Sequence, residues 1–192
     1  MNPEVKEEII EVLKVSLESI KKEDKEDIKS LRDISNKIIN SSSLFQDENI
    51  ITAAVMSYSL SKIYSRSDYR KYPTWNLFSE TTINSLRSAL FALQNNNLEI
   101  FEKNLRSIFE VIDRLDNKLK TYIKDALYNS QIARGSRLHE HGISLGRTAQ
   151  LLGINQWELS DYIGRTGIAD VKESQTMDVE KRLKVARGLF KK

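Results

Sequence analysis

The stretch LEIFEKNLRSIFEVIDRLDNKLKTYIKDA, residues 98–126, carries the strongest periodic pattern in this 192-residue chain. Apolar residues recur in it at alternating separations of three and four residues, which is the spacing of one side of a helix. This seam consists of Leu98, Phe101, Leu105, Ile108, Ile112, Leu115, Leu119, Tyr122 and Ala126. Because the heptad spacing persists over about four repeats, it predicts one long helix that packs on a partner helix.

A helix of this length would extend roughly 40 Å at 1.5 Å per residue. The helices predicted before it match that length only partly, so two arrangements of the seam stay open. The seam packs inside the chain's own bundle, or it faces a second copy of the chain. We take the second as the prediction: a homodimer whose interface is formed by Leu105, Ile108, Ile112, Leu115 and Leu119.

Four shorter amphipathic helices are predicted before the seam. Asn2 caps the first, a serine cluster at residues 41–43 ends the second, the third runs from about Asp47 to Tyr64, and the fourth covers about residues 81–94. With only 2 Pro and 7 Gly, the chain has few residues that end strands and form tight turns. A many-stranded fold is therefore excluded.

Composition also narrows the classes of function. The absence of Cys rules out disulfides, thiolate metal sites and Cys nucleophiles, and 2 His leave little material for a metal centre. No apolar run approaches the roughly 20 residues that a membrane span requires, and the start MNPEVKEEII is acidic where a signal peptide is basic. We therefore expect a cytoplasmic protein that binds no metal, cofactor or membrane.

Catalytic motifs are missing from the sequence: it contains no phosphate-binding loop, no GxGxxG, no HExxH and no serine elbow. Acidic residues are plentiful, but they stand beside Lys in helical patterns, which is typical of solvated pairs. We expect a protein that is not an enzyme.

Charge shifts near residue 131. Residues 131–192 hold 11 basic and 7 acidic side chains, whereas residues 1–130 hold 19 and 20. Four of the 7 Gly also fall within residues 135–153. We therefore divide the chain into a helical bundle and dimerisation domain, residues 1–130, and a second domain, residues 131–192.

The second domain contains the string GISLGRTAQLLGINQWELSDYIGRTGI, residues 142–168. Ser144 can cap a first short helix, Gly153 can end it in a left-handed conformation, and Asn155 can cap a second helix. This pattern predicts a helix-turn-helix. A further helix over residues 176–192 is predicted to close the domain. The fold class is thus all-α: an N-terminal bundle with one long heptad-patterned helix, followed by a small helix-turn-helix domain.

The segment ISLGRTAQLLGINQWEL resembles the short helix-turn-helix of a prokaryotic antitoxin-like family, whose members have an ISLG-containing first helix and an aromatic-acid pair in the second. Small Ala149, four residues before Gly153, fits the close crossing of two such helices, whereas Thr148 stands where the pattern usually has an aliphatic residue. The rest of the chain resembles uncharacterised archaeal helical proteins. The resemblance implies a module that binds DNA or a protein.

The second short helix leaves three interpretations open. Gln156 and Ser160 are candidates for base contacts if the module binds DNA, with Arg147 and Arg165 on phosphates. Two neighbouring carboxylates oppose a polyanion, so the helix can instead bind a protein through Trp157. A packing corner without any nucleic-acid role is the third interpretation.

Cations and aromatic rings alternate in KIYSRSDYRKYPTW, residues 62–75. Lys62, Arg66, Arg70 and Lys71 are candidates for phosphate contacts, beside rings that can stack on unpaired RNA bases. The alternative is that the rings fill a gap between helices while the cations are solvated. A second cationic series, Arg134, Arg137, Arg147 and Arg165, surrounds the helix-turn-helix.

Three hypotheses follow. The first is a non-enzymatic, dimeric nucleic-acid-binding regulator. The second is a factor associated with ribosomal RNA, such as a subunit-binding dormancy or dimerisation factor. The third is an antitoxin-like or scaffolding protein that binds a protein partner through the helix-turn-helix.

Overall fold

A computed structural model describes residues 1–22 and 25–166 of the chain. All regular secondary structure in this part is helical and it contains no strand, which confirms the all-α fold class. Its helices are α1 (Pro3–Lys22), α2 (Lys25–Phe45), α3 (Glu48–Tyr64), α4 (Trp75–Gln94), α5 (Leu98–Glu110), α6 (Asn117–Glu140), α7 (Leu145–Leu152) and α8 (Gln156–Thr166). Two 3₁₀ turns lie at Ser67–Lys71 and Val111–Arg114. The closing helix predicted over residues 176–192 lies outside the described residues.

None of the helices in residues 1–22 and 25–166 combines the length and the apolarity that crossing a membrane requires.

Several predicted helix ends are confirmed by capping hydrogen bonds. The side chain of Asn2 accepts from the backbone N–H of Glu4 at 2.9 Å, and Asp47 accepts from Asn49 N at 2.8 Å. The serine cluster does not end α2, because a hydroxyl can also bond within a helix: Ser42 donates to the carbonyl of Ile38 at 2.6 Å. Helix α2 therefore continues to Phe45.

The prediction of one long seam helix is wrong. Helix α5 ends at Glu110, and after the second 3₁₀ turn Leu115 is extended, with ψ 160°. Asp116 then starts a new helix, since its side chain accepts from Leu119 N at 3.0 Å and from the hydroxyl of Thr74 at 2.6 Å. A short acidic side chain that satisfies open N–H groups favours a helix start over helix continuation.

The seam side chains lie in the protein's own core. Leu105, Ile108, Ile112, Leu115 and Leu119 are between 0% and 5% exposed, and they belong to the same buried cluster as the side chains of α1 to α4. Heptad spacing produces an apolar side but does not select the partner that covers it. These five residues are therefore not available as a dimer interface, and a second copy would have to bind another surface.

Helix α6 connects the bundle to the helix-turn-helix. It packs on α2 and α3 and also on α7 and α8, so the composition change at residue 131 falls inside a continuous helix. Ala149, Leu159 and Ile163 form a small second cluster of their own. Gly135 lies where α6 meets this module: an added Cβ there would stand 2.9 Å from Leu152 Cδ1 and 3.1 Å from Leu159 Cδ1.

Truncating the seam should unfold the monomer instead of splitting a dimer. We expect Ile108→Ala to lower the free energy of unfolding by about 2–5 kcal/mol, because it leaves a cavity in a packed core. The matched control is Ile100→Ala on the same helix, where the side chain is 47% exposed and the loss should be below about 1 kcal/mol. Urea unfolding followed by circular dichroism measures both. Equal stability of the two variants would contradict this placement of the seam.

A side chain at residue 135 should push the helix-turn-helix away from α6. We expect Gly135→Val to speed amide hydrogen exchange across residues 145–166, because its methyl groups overlap Leu152 and Leu159 while the bundle stays folded. Gly164→Val is the control, since an added Cβ at residue 164 meets no atom within 4 Å among the described residues beyond its chain neighbours and its own helix backbone. Similar exchange in the two variants would show that the close approach at Gly135 does not hold the module.

Candidate nucleic-acid interface

The turn between α7 and α8 has the predicted chemistry. Ser144 Oγ accepts from Arg147 N at 3.3 Å, and Gly153 has φ 62°, which is the left-handed conformation that favours glycine. Asn155 Oδ1 accepts from Trp157 N at 2.8 Å and so caps α8. Thr148, the departure from the usual pattern, is fully buried at an inner position of α7. The two helices of a helix-turn-helix are thus present.

Helix α8 presents an exposed outer face. Gln156, Ser160 and Asp161 are exposed, and the Trp157 side chain is 82% exposed. Arg165 donates to Asp161, so this carboxylate is paired with a cation one turn away. This pairing lowers the repulsion that Asp161 would exert on a phosphate. It also occupies Arg165, which the sequence analysis names as a candidate for phosphate contact.

Glu158, the second acid of this helix, is directed to α6. It accepts a hydrogen bond from the hydroxyl of Tyr128. This hydrogen bond, together with partial burial, raises the pKa of Tyr128 above its usual value, because the neighbouring carboxylate disfavours a phenolate. Glu158 therefore helps to hold α8 on α6, and it opposes a polyanion on the outer face less than the sequence suggests.

The rings of residues 62–75 form part of the core. Tyr64 and Trp75 are 1% and 4% exposed, and their ring centroids lie 5.1 Å apart in an edge-to-face pair. Tyr69 is also buried and stacks on Tyr122 at 5.7 Å. These rings stabilise the junction between α3 and α4. They are not available to stack on RNA bases, and the alternative in which the rings fill a gap between helices is the one observed.

The cations of the same stretch separate into two groups. Arg70 and Lys71 are exposed on the first 3₁₀ turn, where Lys71 Nζ lies 2.5 Å from Asp68 Oδ1 and lowers the pKa of that carboxyl. Lys62 is half-buried near the end of α3, and Arg66 is exposed just beyond it. Only Lys62 and Arg66 border a cavity that also touches α6 and α8.

This cavity, which we call the basic cleft, has a volume of about 260 Å³. It is lined by Tyr58, Lys62, Arg66, Ala126, Asn129, Ser130, Ala133 and Tyr162. Tyr162 comes from α8, so the helix-turn-helix forms one wall. No carboxylate is present among the described residues of this lining, and the cleft therefore has a positive charge that no acid in its walls offsets.

Arg134 adds a buried cation behind the cleft. Its side chain is 5% exposed, and its guanidinium carbon lies 3.9 Å from the centroid of the Tyr58 ring. Nη1 donates to Asn36 Oδ1 at 2.6 Å, whereas Nε is buried without a hydrogen-bond partner. Burial lowers the pKa of Arg134, and repulsion from Arg137 adds to this effect. Arg134, a candidate nucleic-acid contact in the sequence, therefore lies in the interior of the protein and not on its surface.

The second cationic series does not gather at one place. Arg137 pairs with Glu140 at 2.7 Å, and Arg147 Nη1 donates to Gln150 Oε1 at 3.0 Å. In contrast, Lys62, Arg66 and Arg134 make no ion pair with any carboxylate in the described part of the chain. Of the ten predicted nucleic-acid contacts, the fold brings these three together, and it leaves Gln156 and Ser160 on the outer face of α8.

Sequence reasoning missed the uncharged walls of the cleft. Tyr58, Lys62 and Arg66 are spaced by four residues, so the helical period extended from Lys62 would have found Tyr58. Ala126, Asn129, Ser130 and Ala133 follow the same period on α6. Tyr162 is half-buried and lies in the cleft wall. No local signal indicates that these three segments meet.

A comparison of the chain with family models, curated proteins and solved structures finds no match.

Proposed function

We propose that the chain is a non-enzymatic nucleic-acid-binding regulator, in which the basic cleft holds backbone phosphate and the outer face of α8 contacts bases. The observation that carries the proposal is the convergence of Lys62, Arg66 and Arg134, none with a carboxylate partner, beside a helix-turn-helix. Cytoplasmic location is part of the proposal.

Electrostatics favours a polyanion at this place. Cations near a phosphate backbone release its condensed counterions, which supplies binding free energy that falls as salt rises. Some cations in the described residues are engaged with acids, as Lys37 is with Glu11 at 2.7 Å and Lys124 with Asp113 at 2.8 Å. Lys62 and Arg66 have no such acid to leave when a phosphate arrives, so their binding free energy is not reduced by the loss of an internal ion pair.

The positions of polar residues on α8 support two kinds of contact, one to phosphate at the cleft and one to bases on the exposed side of the helix. Tyr162 lines the cleft on one flank of α8, and Gln156 and Ser160 are exposed on the opposite flank and turn. Contacts to phosphate set the register of a protein on a nucleic acid, whereas contacts to base edges specify sequence. A strand whose phosphate occupies the cleft would therefore have to pass around α8, which is about 10–12 Å wide with its side chains, for its bases to reach Gln156 and Ser160.

Binding to ribosomal RNA is the alternative within the same proposal. The cations of the cleft suit RNA and DNA phosphates equally, but the buried Tyr64, Tyr69 and Trp75 remove the stacking surface that favoured RNA. Measuring the affinity of the protein for DNA and for RNA distinguishes the two alternatives.

Reversing the charge of the cleft should weaken binding strongly. We expect the double variant Lys62→Glu, Arg66→Glu to lose at least about tenfold in affinity and to reduce the salt slope by about two, because two phosphate contacts are lost. Fluorescence anisotropy with a labelled duplex DNA and a labelled single-stranded RNA, each at several salt concentrations, measures both quantities.

The matched control for this experiment is Lys71→Glu with Lys118→Glu. It changes the net charge by the same amount at two exposed residues that do not line the cleft. An equal loss in the two double variants would show that only the overall charge matters and would remove the assignment to the cleft.

A second candidate function, docking on a protein as in antitoxin-like or scaffolding proteins, is favoured by one observation. The indole of Trp157 is 82% exposed in the first turn of α8, where no described residue covers it. Large exposed aromatic residues are frequent anchors of protein interfaces. The resemblance of residues 143–159 to an antitoxin-like module stays a prediction that points in the same direction.

Two single substitutions on α8 distinguish the candidates. We expect Trp157→Ala to weaken binding of a protein partner more than Gln156→Ala does, since an anchor residue commonly contributes about 2 kcal/mol or more. If α8 reads DNA, Gln156→Ala should instead relax sequence preference by about 1–3 kcal/mol in a selection from random duplexes. Phe91→Ala, a 70% exposed aromatic on α4, is the control. Retained partner affinity in Trp157→Ala, with altered DNA preference in Gln156→Ala, would reject protein docking.

A further inference from the structure

We infer that the basic cleft takes a phosphomonoester at the end of a nucleic-acid strand in preference to a phosphodiester within it. The inference rests on the proposed function, because it names the part of a nucleic acid that this same cleft binds.

The number of cations around the cleft exceeds what one phosphodiester requires. Lys62 and Arg66 line it, and Arg134 lies directly behind the Tyr58 wall. An internal phosphodiester has one negative charge, whereas a terminal phosphomonoester carries about −1.5 to −2 near pH 7 and has three free oxygens. Three cations without an acid among them therefore match the terminal group better.

The size of the cleft favours a single phosphate. Its volume is about 260 Å³. One phosphate with part of its sugar fits in that space. Helices α3, α6 and α8 bound it on three sides, which suits a group attached to the strand through one oxygen more than a group attached through two.

The burial of Arg134 supplies the strongest part of the selectivity. At 5% exposure its charge is screened by water far less than that of a surface arginine. It has no carboxylate to offset the cost of burial, and its Nε–H lacks an acceptor. An additional negative charge in the adjoining cleft reduces this cost, so the second charge of a monoester gains more here than it would at an exposed site.

The uncharged walls are compatible with the same ligand. Asn129, Tyr58 and Tyr162 carry amide or hydroxyl groups that can donate to phosphate oxygens. Ser130 donates its hydroxyl to the carbonyl of Ala126 at 2.6 Å, so its oxygen is engaged within α6.

The test compares two single-stranded oligonucleotides of identical sequence, one with a 5′-phosphate and one with a 5′-hydroxyl, titrated into the full chain at moderate salt. We expect the phosphorylated strand to bind about tenfold tighter, because the extra charge interacts with a poorly screened cation. Arg134→Gln should bring the ratio close to one. Arg66→Gln, a substitution at an exposed residue that does not threaten the fold, should lower the ratio several-fold, and Lys71→Gln should leave it unchanged.

Each outcome separates this inference from the proposed function. Equal binding of the two strands would overturn the preference for strand ends and leave nucleic-acid binding intact. Binding of neither strand, nor of duplex DNA, would overturn both. Adenosine 5′-monophosphate that binds as tightly as the phosphorylated strand would overturn the assignment to a nucleic-acid end. A ratio that survives in both Arg134→Gln and Arg66→Gln would place the end-binding site elsewhere.

Discussion

The position of helix α6 is the constraint on which the rest of the structure depends. Its first half lies in the bundle core through Leu119 and Ile123, both fully buried, and its second half supports α7 and α8. Gly135 permits the close contact on that side, since an added Cβ would overlap Leu152 and approach Leu159. A single rigid helix thereby fixes the helix-turn-helix relative to α3 and creates the basic cleft between them.

Arg134 shows how this packing is linked to electrostatics. A buried guanidinium without a carboxylate is costly, and the contact with the Tyr58 ring and the hydrogen bond to Asn36 offset only part of that cost. An anion in the cleft, as proposed above, would offset a further part of this cost. Burial also places the charge where solvent screens it weakly, so it would strengthen the proposed binding of a phosphate.

The polar residues of helix α8 fall into two groups, those paired with other side chains and those left exposed. Glu158 holds the helix on α6 through Tyr128, and Arg165 pairs with Asp161, which leaves Gln156, Trp157 and Ser160 with exposed side chains. An exposed indole between two hydrogen-bonding side chains is compatible with a base-contacting helix and with a protein-docking helix. The choice between them depends on the energetic role of Trp157 and not on the shape of the module, because the same fold serves both tasks.

The sequence alone determined the helical class, the caps at Asn2 and Asp47, and the turn at Gly153, because each depends on interactions within a few residues. It did not determine the partner of the seam, because heptad spacing is the same whether the apolar side faces a second copy or the chain's own core. The cap at Asp116 that breaks the helix acts together with Thr74, 42 residues away.

The sequence alone did not predict the basic cleft either. Lys62 and Arg134 were identified as cations, but their convergence, and the burial that gives Arg134 its strength, arise only when α3, α6 and α8 pack together. Only the tertiary structure decides which charged side chains are buried and which carboxylates lie too far from a cation to form an ion pair. Burial and distance depend on how the helices pack and not on the local sequence.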